Sequence, residues 1–365
     1  MPFANHPEER GILNVRRTRA NMFSPGLARN PELHDTLNTG MVRRAKPVQK
    51  QPLVIAIGGA TGNIGKSLFT ASLAVHLAEE GRRTVAVDLD LGGANLHQYL
   101  GHPRLRRTVN DFLRKKTDTL DGVMEETIFG PRLIGGASSC LGAGNIGFAR
   151  KLKLMRTIRS LDADVVVADL GGDTAFNVLD VFLAADIRLV MTTSTPETHL
   201  GAYTFIKRAL YRKLNRIFGP ESFYKGPADP ILRRLIQNAT IAAGSSDLQT
   251  IPALREDIRQ KARTGLNMLD KTLEAYRPFI LVNRVENAGR EQPPFRRIQK
   301  VCKKALSVHV SCLGSLPDTP GMAAGNRPIL PVLTTAESRE FNCRLKQIAN
   351  RILDAAYQQG QSHKD

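Results

Sequence analysis

Tryptophan is absent from the 365 residues, and aromatic side chains make up only 5% of them. So low an aromatic content disfavours a platform for stacking unpaired bases, because such surfaces are built from aromatic faces. Cysteine is scarce: Cys140, Cys302, Cys312 and Cys343 form no CxxC pair. That pattern suggests neither a thiolate zinc cage nor an iron–sulfur cluster held within one chain. Long apolar runs are missing as well. Val165–Ala168 and Val181–Ala185 fall far short of the ~20 residues of a bilayer span, and the first residues lack the apolar core of a secretory signal. A cytoplasmic protein is expected, with a peripheral position at a membrane or nucleoid as the alternative. Acidic residues are outnumbered, 34 against 52 Lys and Arg, which leaves a net charge of +18. This balance favours polyanionic partners: nucleic acid, an anionic membrane surface or an acidic protein. With so few aromatics, any contact with DNA would run through its phosphates.

What is present reads as a folded α/β chain, 42% apolar and 24% charged. Residues 1–50 mix Pro, Asn, Arg and Gly without apolar period and are expected to form a flexible basic tail. From Leu53 onward, short β-branched runs alternate with helical patterns: Leu53–Ile57, Thr84–Val87, Asp164–Val167, Ile187–Met191, Phe279–Val282 and Val308–Val310. Such runs predict buried parallel strands with helical crossovers, hence a doubly wound, mostly parallel sheet flanked by helices over residues 51–358. Between 208 and 277 the pattern loosens into a basic, mostly helical insertion that carries Arg212, Lys213, Arg216, Arg233, Arg234, Arg255, Arg259, Lys261 and Arg263. Near the end, Phe341, Leu345, Ile348 and Ile352 share one helical stripe. It predicts core packing, with a membrane-surface helix as the sharper alternative, before a polar tail at 359–365.

Chemistry gathers at three strand ends. Gly58-Gly59-Ala60-Thr61-Gly62-Asn63-Ile64-Gly65-Lys66-Ser67 follows the first strand and opens a helix from Leu68 to Glu80. Small residues there let successive amides converge on phosphate oxygens at a helix amino terminus. Lys66 would reach the terminal phosphates and Ser67 would coordinate Mg²⁺. The loop departs from GxxxxGK[ST] at Ala60, and Asn63 takes a place where glycine is usual. Asn tolerates positive φ better than most residues. The second strand ends in Asp88-Leu89-Asp90, two carboxylates with i, i+2 spacing that face one crevice. The third ends in Asp169, followed by Gly171-Gly172. That carboxylate can hold a magnesium-bound water opposite Ser67.

Val54–Ile57 into the loop, Val87–Leu96, Leu133–Ser139, Asp164–Gly172, Leu183–Asp186, Thr192–Glu197, Leu281–Asn283 and Leu313–Asp318 together resemble the MinD/ParA family of P-loop ATPases. The likeness is strongest to its flagellar-placement branch, FlhG or FleN. It implies an ATP-dependent switch that forms a homodimer around two nucleotides, binds a protein partner or a surface in the ATP state, and resets by slow hydrolysis. Lys66 and Ser67 then match the phosphate and magnesium residues, with Asp88 and Asp169 in the metal shell through water. Asp90 matches the group that activates attacking water. Residues 59–68, Gly59 to Leu68, form the phosphate cradle, Asn283 matches the base-recognising Asn, and Pro317-Asp318 the loop beside the base. Thr61 stands where the family's signature lysine would stand. Two further functions follow as alternatives: a nucleotide-binding scaffold with negligible turnover, and a partition-type ATPase that coats DNA.

Overall fold

The apolar runs lack alternation because their strands are covered on both faces. In the computed structural model, which describes residues 51–137, 147–219, 230–241, 250–262, 265–286, 292–318, 328–329 and 333–361, eight strands form one sheet. These are β1 (Leu53–Gly58), β2 (Thr84–Leu89), β3 (Met124–Glu126), β4 (Arg132–Ile134), β5 (Val165–Leu170), β6 (Ile187–Thr192), β7 (Phe279–Val285) and β8 (Ser311–Pro317). Their order is β3-β4-β2-β5-β1-β6-β7-β8. Every pairing is parallel except the antiparallel β3–β4 edge. Val48–Asp365 makes one compact unit. The expected tail at 1–50, Pro220, Gly226-Pro227, Gly244–Ser246, Ser138-Ser139 and residues 362–365 lie outside the described residues.

Side chains leave each strand alternately up and down, and so feed two cores. On one face Ile55, Ile57, Ala86, Val165 and Val167 pack against helices α1 (Lys66–Glu79), α2 (Leu96–Tyr99) and α11 (Arg339–Gln361). On the other, Val54, Ala56, Val85, Val87 and Val166 meet α3 (Val109–Leu113), α4 (Phe148–Ile158), α5 (Phe176–Ala184) and α6 (Pro196–Phe218). That second layer continues through α7 (Pro230–Ile241), α8 (Ile251–Lys261), α9 (Leu266–Glu274) and α10 (Gln292–Val301). The carboxyl-terminal stripe is core: Phe341, Leu345, Ile348 and Ile352 are only 1–2% exposed. Each contributes about 1.5–3 kcal/mol by leaving water. Gly314 of β8 allows the close approach of α11, since a Cβ there would come within 3.2 Å of Ile348. Among the described residues no helix is long and apolar enough to cross a membrane.

The structure corrects the sequence reading in four places. Val308 and Val310 are buried, at 1% and 0% exposure, but precede the strand; the ladder starts only where Ser311 meets Phe279. Apolar letters there reported burial, not pairing. Strands β3 and β4, three residues each, were unforeseen because so short a run carries no period. The loosened region begins after α6, whose 23 residues run unbroken through Arg208 to Phe218. Helix α11 extends to Gln361, past the expected start of the polar tail.

Candidate functional site

At the carboxyl end of β1 the chain turns through residues 59–65 before α1 starts at Lys66. Two residues take the left-handed conformation that this turn requires, Asn63 at φ 55° and Gly65 at φ 89°. Gly65 occupies the position before the helix and offers no side-chain cap, so the first amides of α1 point unpaired into the loop. Those amides and the positive end of the helix dipole make an anion cradle. Lys66 is buried, 7% exposed, and its Nζ donates to the Thr61 carbonyl at 3.0 Å. Burial lowers its pKa, against the pull of Asp169, Asp90 and Asp173. Ser67 and Leu68 follow on the first turn of α1, both half-buried, with Leu68 packed toward the core.

The register of the sheet sets Asp88 of β2 directly beside Asp169 of β5. Asp88, fully buried, accepts from the Asp90 amide at 3.1 Å and from the Leu96 amide at 3.0 Å. It therefore clamps the turn that leads into α2, and its expected share in a metal shell is limited to what these two bonds leave. Asp90 accepts from the Gly93 amide at 3.0 Å and lies against Gly171, where a Cβ would stand 3.2 Å from its Oδ1. Asp169 differs. It is 1% exposed, and neither of its oxygens has a hydrogen-bond partner among the described residues. Burial pushes its carboxyl up to about 7, with Ser67 and the Lys66 ammonium pulling the other way. Asp88 is pushed well up too, by burial and by the charge of Asp169. Two buried carboxylates side by side cannot both ionise cheaply.

A hard divalent cation fits this donor set. A hydroxyl at Ser67 and partnerless carboxylate oxygens at Asp169 are the ligands magnesium favours, with phosphate and water filling the remainder. No group of three His, Cys, Asp or Glu side chains converges into a cage among the described residues.

Across the loop, Asn283 of β7 is 4% exposed and its Nδ2 donates to the Ile64 carbonyl at 2.8 Å. A Cβ at Gly65 would lie 2.4 Å from that nitrogen and would displace it from Ile64, so glycine there serves this contact as well as the φ. Pro317 and Asp318 end β8 beside β7, and the Asp318 amide donates to the Val285 carbonyl at 3.0 Å. The structure thus brings the loop, Lys66, Ser67, the three aspartates and Asn283 to one edge of the sheet. Sequence reasoning missed the α6 side. A Cβ at Gly201 would lie 2.3 Å from the Thr61 hydroxyl, and Arg208 on the same helix donates to the Thr174 hydroxyl. The signal was available in the 4, 3 and 4 spacing of Glu197, Gly201, Thr204 and Arg208.

The family described as the CobQ/CobB/MinD/ParA nucleotide binding domain matches residues 55–329. The chain belongs to this family. Among CobQ/CobB/MinD/ParA relatives, the antiactivator FleN of Pseudomonas aeruginosa is 29% identical over 182 residues, 48% of this chain and 60% of FleN. The septum site-determining protein MinD of Helicobacter pylori is 30% identical over 142 residues, 39% of this chain and 53% of that MinD. The chain thus spans less than two thirds of the length of either relative. MinD of Pyrococcus horikoshii, solved with Mg-ADP, superposes with a TM-score of 0.51 at 15% identity, covering 84% of this chain and 98% of that one. A plasmid partition protein of Borrelia burgdorferi bound to AMPPNP gives 0.50 at 14%, covering 84% and 99%. These two likenesses establish the fold.

Proposed function

We propose that the chain binds Mg·ATP at the loop of residues 59–68 and works as a slow, nucleotide-switched ATPase that dimerises in the ATP state. The observation that carries this reading is Asp169, whose two buried oxygens lack partners beside the Lys66 ammonium. A bound magnesium would supply charge neutralisation at the terminal phosphates. Ser67 would be its ligand, and Asp169, with Asp88 behind it, would hold its water. Lys66 exchanges the Thr61 carbonyl for phosphate oxygen. Asp90, fixed by the Gly93 amide, orients attacking water, and Asn283, which can both donate and accept, reads the adenine edge. Dimers so formed would place or recruit a cellular machine through a protein partner, flagellar placement or number among the candidates. The names of the relatives, an antiactivator and a septum-site determinant, support that class of role.

Titration of a fluorescent ATP analogue tests the reading. Wild type should bind it only with magnesium, and Lys66→Ala should lose most of the affinity. Equal binding by Lys66→Ala, or none by wild type, overturns it. A second reading has its own observation: Thr61 brings no charge to the loop, as a nucleotide-binding scaffold with negligible turnover requires. Single-turnover hydrolysis separates the two, since robust wild-type turnover abolished by Asp90→Ala dismisses the scaffold.

A further inference from the structure

Beside the phosphate loop an open cleft of about 490 Å³ runs between residues 60–61, residues 172–174 and one face of α6. Its α6 wall is the row Glu197, Gly201, Thr204, Arg208, spaced so that all four project from one side of the helix. Gly201 lets the helix touch the loop, because a Cβ there would stand 2.3 Å from the Thr61 hydroxyl and force it to turn away. On the opposite wall a Cβ at Gly172 would stand 3.3 Å from the Gly62 backbone and 3.3 Å from the Lys66 Nζ. The cleft is therefore the outward side of the place where Lys66 ends.

Arg208 is the one cation in its lining. It is exposed, so its guanidinium is held by a single described contact, the donation to Thr174. Among the described residues it forms no ion pair. The two acidic residues of the cleft leave it unneutralised. Asp173 turns back to accept from the Ala175 amide at 2.8 Å. Glu197 stands eleven residues earlier, about 16 Å along the helix axis at 1.5 Å per residue. Thr174 is two residues beyond Gly172, so the guanidinium is tethered to the very segment that closes over Lys66. A planar fork of donors tethered two residues from Gly172, without a carboxylate to satisfy it, is suited to phosphate oxygen.

We infer that Arg208 binds the terminal phosphate of the nucleotide and supplies, from α6, the positive charge that position 61 lacks. The inference rests on the Mg·ATP reading above. The phosphate can belong to its own subunit or to a second copy facing it.

The test compares full-length wild type, Arg208→Ala and Arg208→Lys by titration with Mg·ADP and Mg·ATPγS, and by turnover of ATP. Arg208→Ala should keep its affinity for ADP, which also certifies the fold. It should lose about tenfold in preference for the triphosphate and, where wild type turns over, up to ~10³-fold in rate. Arg208→Lys should recover part of both. A loss of preference seen at nanomolar protein assigns the phosphate to the same subunit. A loss confined to concentrations at which the protein dimerises, with turnover rescued by mixing Arg208→Ala with Lys66→Ala, assigns it to the facing copy. An Arg208→Ala protein with wild-type preference and wild-type turnover overturns the inference. Failure of the wild type to bind Mg·ADP would instead count against the nucleotide reading itself.

Discussion

Asp169 shows how a single residue can be costly to the empty fold and useful to the loaded one. Its carboxyl is pushed to about 7 by burial, while the unfolded chain titrates it near its ordinary value of 3.8. Below that value both states are protonated and the group has no influence. As pH rises toward 7 the unfolded chain releases the proton and the fold retains it, so stability falls with pH and stays low above 7. Melting temperatures of wild type and Asp169→Asn, measured without nucleotide or magnesium from pH 4 to 8, should therefore diverge. The wild type loses ground to the variant as pH rises, because asparagine keeps the volume without the charge. A difference that stays flat over that range would mean that Asp169 is ionised in the empty protein.

At the scale of elements, three helices of the outer layer are joined by one carboxylate. Asp180 of α5 is fully buried. It receives Lys151 of α4, Arg212 of α6 at 2.8 and 3.0 Å, and Arg216 at 3.3 Å. Burial alone would raise its pKa, but Arg212 and Lys151 hold it below the ordinary range. Removing the charge strands buried cations, and loss of one partner from such a group costs about 3–5 kcal/mol. Urea unfolding of Asp180→Asn should show a loss of that size; a loss below about 1 kcal/mol would mean that the cations find water instead. None of this was legible in the sequence, where Asp180 is an isolated acid in an apolar helix and its partners lie 29 to 36 residues away. The strands β1, β2, β5, β6 and β7 were legible because burial on both faces leaves a run of β-branched letters. Strand β8, Ser-Cys-Leu-Gly-Ser-Leu-Pro, was displaced by three residues because its own composition favours turns. The loop, Lys66, Ser67, the aspartates and Asn283 could be read because they sit at strand ends with fixed local spacing. Arg208 was legible only as a member of the 4, 3, 4 row on α6; that the row faces the loop depends on where a helix one strand further on crosses it.

The whole molecule carries +18, and the sequence alone gives basic character to the tail at 1–50 and to the insertion at 208–277. The structure answers part of the insertion's charge. Arg212 and Arg216 surround Asp180, Arg255 pairs with Asp270 at 2.9 Å, Arg259 with Glu256 and Lys261 with Asp257 at 3.3 Å. Lys213 is brought down to about 8 by burial. These six cations are paired or buried within the fold, whereas Arg208, Arg233 and Arg234 of the same region are exposed and form no ion pair among the described residues. Along α10 and the π-helical turn Cys302–Leu306, by contrast, Arg296, Arg297, Lys300, Lys303 and Lys304 are all exposed, and no acidic residue stands between Gln292 and Ser311. Phosphate contacts release counterions, so each one adds about −0.9 to the slope of log affinity against log salt. Duplex DNA serves as the probe. The triple variant Lys300→Glu, Lys303→Glu, Lys304→Glu should bind it more weakly at low salt and show a slope shallower by about 2 to 3. Reversal at Arg255, Arg259 and Lys261 should change the slope by less than one. Equal slopes for the two triples would show that the polyanion does not distinguish the answered cations from the bare ones, and would remove α10 as the contact.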